Sequence, residues 1–142
     1  MNLERAIEIA VSAHKGVKDK GGNPYILHPL RVMLSLNSEE EKIVGVLHDV
    51  VEDAEDWTFE KLQDEGFSTQ ILEGLQSVTK TSEDENYDEF VQRALANAIG
   101  RQVKIADIKD NLDVTRLDIL TEKDMKRLQS YKKSLMTLQS GI

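Results

Sequence analysis

The chain contains no cysteine, which excludes a disulfide scaffold, a thiolate zinc site and a cysteine nucleophile, and fits a reducing compartment. Only two prolines, Pro24 and Pro29, interrupt it. No apolar run approaches the roughly 18 residues needed to span a bilayer. The opening Met1-Asn2-Leu3-Glu4-Arg5 reads as neither a signal nor a transit peptide, so the expectation is a cytoplasmic chain with no membrane partner. Cations are also scarce: 18 Lys and Arg stand against 26 Asp and Glu, a net charge of −8. That balance argues against a nucleic-acid partner, because phosphate affinity comes from neutralising Lys and Arg. Convincing strand alternation, internal repeats and a linker are all missing.

What is present is helical periodicity. Leu3, Ala6, Ile7, Ala10, Val11 and Ala13 mark a first amphipathic helix that runs out before Gly16. Gly21-Gly22-Asn23-Pro24 is the strongest loop signal, and His28-Pro29 opens a second helix. Asn37-Ser38-Glu39 supplies caps and acids for a third helix expected to continue through Val51. Thr58 and Ser68 start two more. Thr81 to Asn86 reads as a mobile loop, followed by a helix over Tyr87 to Ala98 and another over Arg101 to Asp113. Thr121-x-x-Asp124 is a capping box with Asp in place of Glu, opening a final helix that Gly141 stops. At 142 residues the expectation is one all-α domain covering 1–142. Composition carries no signature of oligomeric state.

Two polar clusters break the apolar pattern. His48 and Asp49 sit inside Ile43-Val44-Gly45-Val46-Leu47-His48-Asp49-Val50-Val51. A carboxylate in such a stretch costs several kcal/mol unless a cation or a dense hydrogen-bond set holds it. On a continuous helix His48, Glu52, Asp49 and Asp53 would share an arc of roughly 140°. One imidazole and three carboxylates on one face suit a divalent metal with acid/base groups beside it. The second cluster lies in Val103-Lys104-Ile105-Ala106-Asp107-Ile108-Lys109-Asp110-Asn111-Leu112, where Asp107 and Asn111 share a face. His28, beside the glycine-rich loop, can point into a cleft. Two His and two Asp on three helices suit Mn²⁺, Fe²⁺ or Mg²⁺ better than structural zinc. Between His14 and Arg31 four cations, including Lys18 and Lys20, stand against Asp19 alone, a docking side for a small phosphorylated ligand.

Tyr25-Ile26-Leu27-His28-Pro29-Leu30, Leu47-His48-Asp49-Val50-Val51-Glu52-Asp53 and Val103-Lys104-Ile105-Ala106-Asp107-x-x-x-Asn111 resemble, in order and spacing, the motifs of HD-domain metallohydrolases. The branch they resemble includes the hydrolase domain of RelA/SpoT proteins and the small single-domain alarmone hydrolases. The resemblance spans roughly residues 3 to 120 and implies an HD-type helical bundle with a metal site between helices. It implies one metal, usually Mn²⁺, held by His28, His48, Asp49 and Asp107. Glu52 and Asp53 become the acidic pair that positions and activates the attacking water, and Asn111 becomes a nucleotide contact. With no synthetase domain following, a stand-alone hydrolase is expected. The implied reaction is 3′-pyrophosphate release from guanosine tetra- or pentaphosphate. The chain departs from that pattern at Asp19 and Asp113, where alarmone hydrolases carry arginine. Two other readings therefore stay open: a phosphohydrolase for a different phosphorylated nucleotide or metabolite, and a non-catalytic nucleotide-sensing module. Elsewhere His14 reads as a capping or supporting residue and Trp57 as packing. The late cations from Lys123 to Lys133 read as a solvated face, and Glu83 to Glu89 as a solvated loop that could act as a lid.

Overall fold

A computed structural model describes residues 1–140. Among these, nine α-helices follow in order: α1 Leu3–His14, α2 Leu27–Leu34, α3 Glu39–Leu47, α4 Val50–Asp53, α5 Phe59–Asp64, α6 Thr69–Ser77, α7 Tyr87–Leu95, α8 Ala98–Asn111 and α9 Glu122–Ser140. The only strand-like feature among them is a single antiparallel bridge between Lys18 and Pro24. The final stop expected at Gly141 falls outside the described residues.

The caps expected at Ser38, Thr58, Ser68 and Thr121 form, and Asn86 adds one that was not expected. Ser38 accepts from the Glu41 amide while the Glu41 side chain bonds back, completing a capping box at α3. Thr58, Ser68 and Asn86 cap α5, α6 and α7, and Thr121 with Asp124 forms the reciprocal pair at α9. Each satisfies amides that a helix start leaves without partners.

Helix α3 is the centre of the packing. It touches α1, α2, α6 and α8, and Ile43 to Leu47 are all buried. Gly45 permits the close approach of α2: a Cβ there would lie 2.6 Å from Leu36 Cδ1 and 3.4 Å from Val32 Cγ1. The absence of a side chain at one position thus lets the helix carrying His28 lie against the helix leading to His48.

Three expectations change. Helix α3 ends at Leu47 instead of continuing to Val51, and a short α4 resumes at Val50. Ala98 belongs to α8, which starts three residues earlier than expected because Asn97 caps it by accepting from the Gly100 amide. The 81–86 loop is tethered: Glu85 accepts from the Thr81 amide and from Arg93, whose guanidinium also donates to the carbonyls of Gln76 and Thr79. The Arg93 hydrogen bonds hold the Glu85 carboxyl down at about 2.

Candidate metal centre and active-site cleft

The break between α3 and α4 is made by the site itself. His48 Nδ1 lies 2.6 Å from the Gly45 carbonyl oxygen, to which it donates. The His48 amide reaches that same oxygen only at 3.5 Å, one residue short of helical spacing. Asp49 takes φ −105° and ψ 0°, the bridge conformation frequent at active sites. Neighbours on a helix point about 100° apart, yet here the Asp49 carboxylate comes to 3.0 Å from His48 Nε2. The ladder then resumes through the Asp53 amide and the Asp49 carbonyl.

Two further helices complete the cluster. His28, in the first turn of α2, places Nε2 2.9 Å from Asp107 Oδ1 and 4.0 Å from Asp49 Oδ2. Asp107, on α8, also lies 3.4 Å from His48 Nε2. Ligand atoms of His28, His48 and Asp49 all fall within 4.8 Å of one another. The four predicted metal ligands therefore converge in one buried place.

The chemistry of this set fits a cation. Since His48 gives its Nδ1 proton to Gly45, its neutral ring carries a lone pair on Nε2. That nitrogen is buried and makes no hydrogen bond, although two carboxylate oxygens stand within 3.4 Å. Electron-rich atoms crowded without a proton repel unless a positive ion lies among them. The same imbalance drives the imidazole toward its protonated form: burial opposes protonation, but Asp49 and then Asp107 overcome it. Two imidazoles with two carboxylates suit a borderline-to-hard divalent ion.

A surrounding layer fixes these groups. His28 Nδ1 is 2.6 Å from Asp110 Oδ2, and Arg31 donates to both Asp110 oxygens at 2.8 and 3.0 Å. A carboxylate behind a ligating histidine sets its tautomer and orientation. Tyr25 donates its hydroxyl to Asp49 Oδ2. Lys104, nearly buried, donates to Asp107 Oδ2 at 3.2 Å, and its ammonium lies 4.5 Å from the Phe90 ring centroid. Asn111 donates to Asp107 Oδ1 at 3.2 Å.

A cleft of about 570 Å³ opens onto this centre, with Lys18, Lys20, His28, Asp53 and Asn111 on its walls. Asp53 lines the cleft, and its carboxyl is pushed up to about 6 by burial first, then by Asp49 and Glu52. Glu52 is not among the lining residues; burial and Asp49 raise its pKa, with Lys80 and Lys104 offsetting them. Asp19 and Asp113 also face the cleft, but both are engaged. Asp19 Oδ1 accepts from the amides of Gly21 and Asn23, each at 2.9 Å, closing a turn in which Gly22 takes φ +82°. Asp113 accepts from the Thr115 amide and hydroxyl and from Arg116.

Sequence reasoning missed Tyr25, Asp110, Arg31 and Lys104, as well as the contribution of α9, which sends Arg127 and Tyr131 to the far wall of the cleft. Asp110 carried a usable signal: it stands three residues after Asp107, on the same face of α8. Trp57 packs against the core, as read.

No family model matches the chain. It is 34% identical over 127 residues to the chloroplastic putative GTP diphosphokinase RSH1 of Arabidopsis thaliana, covering 78% of this chain and 14% of that protein. It is 33% identical over 138 residues to the guanosine-3′,5′-bis(diphosphate) 3′-pyrophosphohydrolase of Aquifex aeolicus, covering 89% and 19%. The chain thus spans less than a fifth of the length of these curated relatives. Among solved structures, a metazoan orthologue of SpoT described as hydrolysing ppGpp aligns with 96% of this chain and 84% of its own at TM-score 0.74 and 22% identity. That likeness establishes a shared fold.

Proposed function

Because the chain resembles the HD hydrolase domain of RelA/SpoT proteins across most of its length, we propose that it is a metal-dependent phosphohydrolase acting on guanosine 3′,5′-bis(diphosphate). Residues 1–142 act in this reading as one hydrolase domain, and its products are pyrophosphate and guanosine 5′-diphosphate. The observation that carries it is the unpartnered His48 Nε2 facing Asp49 and Asp107, with Asp53 on the adjoining cleft wall.

His28, His48, Asp49 and Asp107 would hold the ion, Mn²⁺ first, with Fe²⁺ or Mg²⁺ as alternatives. Such an ion, when bound, acidifies water and withdraws charge from a phosphate oxygen. Asp53 takes the proton of the attacking water as it adds to phosphorus, and as the bond from phosphorus to the 3′-oxygen breaks, that oxygen takes up a proton from solvent, to which Asp53 then releases its own. A carboxyl raised toward neutrality suits this role better than one at its ordinary value. Glu52 acts behind Asp53 through charge. Lys18 and Lys20 hold phosphate oxygens, and Asn111, with its amide nitrogen engaged by Asp107, offers its carbonyl to the nucleotide. The partner is a small nucleotide in the cytoplasm; among the described residues no helix is long and apolar enough to cross a membrane.

A second reading, hydrolysis of a different phosphorylated nucleotide, is favoured by the acids at Asp19 and Asp113 on the cleft wall. A substrate panel with Mn²⁺, scored for pyrophosphate against phosphate release, separates the two. Absence of turnover of guanosine tetraphosphate, with turnover of another nucleotide, would replace the first reading by the second.

A further inference from the structure

Arg31 lies one turn beyond His28 on α2, and Asp110 ties the two together. Arg31 donates through Nε and Nη2 to the two Asp110 oxygens, while His28 Nδ1 meets the same carboxylate at 2.6 Å. A guanidinium is planar and carries five N–H groups. With one edge fixed on Asp110, Nη1 and the second Nη2 hydrogen form another fork in the same plane. The side chain is 34% exposed and lines the cleft. Two turns meet beside it: a Cβ on Gly21 would lie 2.8 Å from the Arg116 carbonyl oxygen, so the turn carrying Asp19 packs on the turn carrying Asp113. Arg116 spends both terminal nitrogens, Nη1 on Asp113 and Nη2 on the Asp110 carbonyl. Arg31 is therefore the guanidinium on this wall with a fork to offer the cleft.

Charge and position indicate what that fork meets. Asp110 through its hydrogen bonds, then Asp19 and Asp113 through charge, hold the Arg31 guanidinium protonated against burial and raise its pKa. With carboxylates already balancing the cation, an uncharged acceptor fits this setting better than a phosphate, for which Lys18 and Lys20 stand on the same cleft. His28 turns Nε2 to Asp107 and Nδ1 to Asp110, so Arg31 stands across that ring from the reacting centre. In a nucleotide, the uncharged group remote from the phosphate under attack is the base. Guanine presents two acceptors side by side, O6 and N7, whereas adenine presents N7 beside the N6 amino donor.

We propose that Arg31 reads the base, its second fork donating to O6 and N7 of a guanine, and so sets the purine preference of the cleft. This rests on the nucleotide reading above. The test compares wild type, Arg31→Met and Arg31→Lys on guanosine tetraphosphate, on its analogue with N7 replaced by carbon, and on adenosine 3′,5′-bis(diphosphate), with Mn²⁺ affinity measured alongside. The wild type should prefer guanine to adenine about tenfold or more in kcat/KM, and should lose a similar factor when N7 is removed. Arg31→Met should lose both discriminations; any loosening of Asp110 lowers Mn²⁺ affinity and turnover equally for all three substrates and leaves their ratios to report on the base. Arg31→Lys, which keeps a cation on Asp110 but has no fork, should restore turnover and only part of the preference. An undiminished guanine preference in Arg31→Met overturns the contact and leaves the functional reading standing, as does a wild type that hydrolyses both purine nucleotides equally. If the wild type neither binds nor hydrolyses either nucleotide, the functional reading falls and takes this contact with it.

Discussion

Replacing Asp110 by Asn tests whether the carboxylate behind His28 governs metal binding. The exchange preserves shape and removes one charge. Asp110 now receives three short contacts, one from His28 at 2.6 Å and two from Arg31 at 2.8 and 3.0 Å. In an asparagine one of the two positions becomes an amide nitrogen, which must face a donor in either orientation. The Arg31 side chain is 34% exposed and can turn to water, but that of His28 is 8% exposed and cannot. The amide nitrogen therefore faces Arg31 while the carbonyl keeps His28 Nδ1, and what His28 loses is the charge of its partner. A charge-assisted hydrogen bond is worth about 1.5–3 kcal/mol, one to two decades at 1.36 kcal/mol each. The same range is typical when the partner of a ligating histidine is lost. Mn²⁺ titration of the metal-free protein, by calorimetry or by loss of the free-ion electron-spin signal, should show affinity weaker by about 10- to 100-fold. Wild-type Mn²⁺ affinity in Asp110→Asn would refute the reasoning and reduce Asp110 to a surface anchor for Arg31.

Further outcomes follow from the same geometry. His48→Ala should abolish metal binding, and full occupancy in the purified variant would dismantle the proposed site. Asp53→Asn should keep the metal while turnover falls by about 10²-fold, in the range of lost general-base catalysis; Glu52→Gln, off the cleft wall, should lose less. Asp53 acts in its ionised form and its carboxyl is pushed up to about 6, so kcat/KM should rise with pH through an acid limb that disappears in Asp53→Asn. The sign for stability is opposite: with the folded value above the unfolded one, Asp53 contributes less to metal-free stability as pH rises from about 4. Lys104→Met leaves the buried Asp107 without its cation, a loss of about 3 kcal/mol or more in the metal-free protein. Added Mn²⁺ should then raise the melting temperature more in the variant than in wild type, and equal increments would argue against the pairing. Asp19→Arg removes the acceptor of two loop amides, so a lower melting temperature is expected, with no gain in nucleotide affinity.

The helices and the residues of the buried His/Asp cluster were legible in the chain because both are written in short-range terms. Caps such as Ser38, Thr58, Ser68 and Thr121 act on amides a few residues away, and apolar periodicity fixes which face is buried. His48, Asp49 and Asp107 stood out because charge in an apolar stretch demands compensation. The break at His48-Asp49 was less legible: nothing local distinguishes a histidine that donates to Gly45 from one that faces a neighbour, and that hydrogen bond ends α3. The different surroundings of Glu52 and Asp53 were not legible either: both lie on α4, but the cleft wall that Asp53 joins is assembled from other helices.

Sequence by itself determined an all-α chain, three motif positions and a buried need for positive charge. Tertiary structure alone decided the residues that support them. Asp110 meets His28 across 82 positions and Arg31 across 79, and α9 reaches the cleft only because the bundle folds it back over α8. Contacts of that span depend on how helices pack, through features such as the missing Cβ of Gly45, and packing has no period that can be read along a chain.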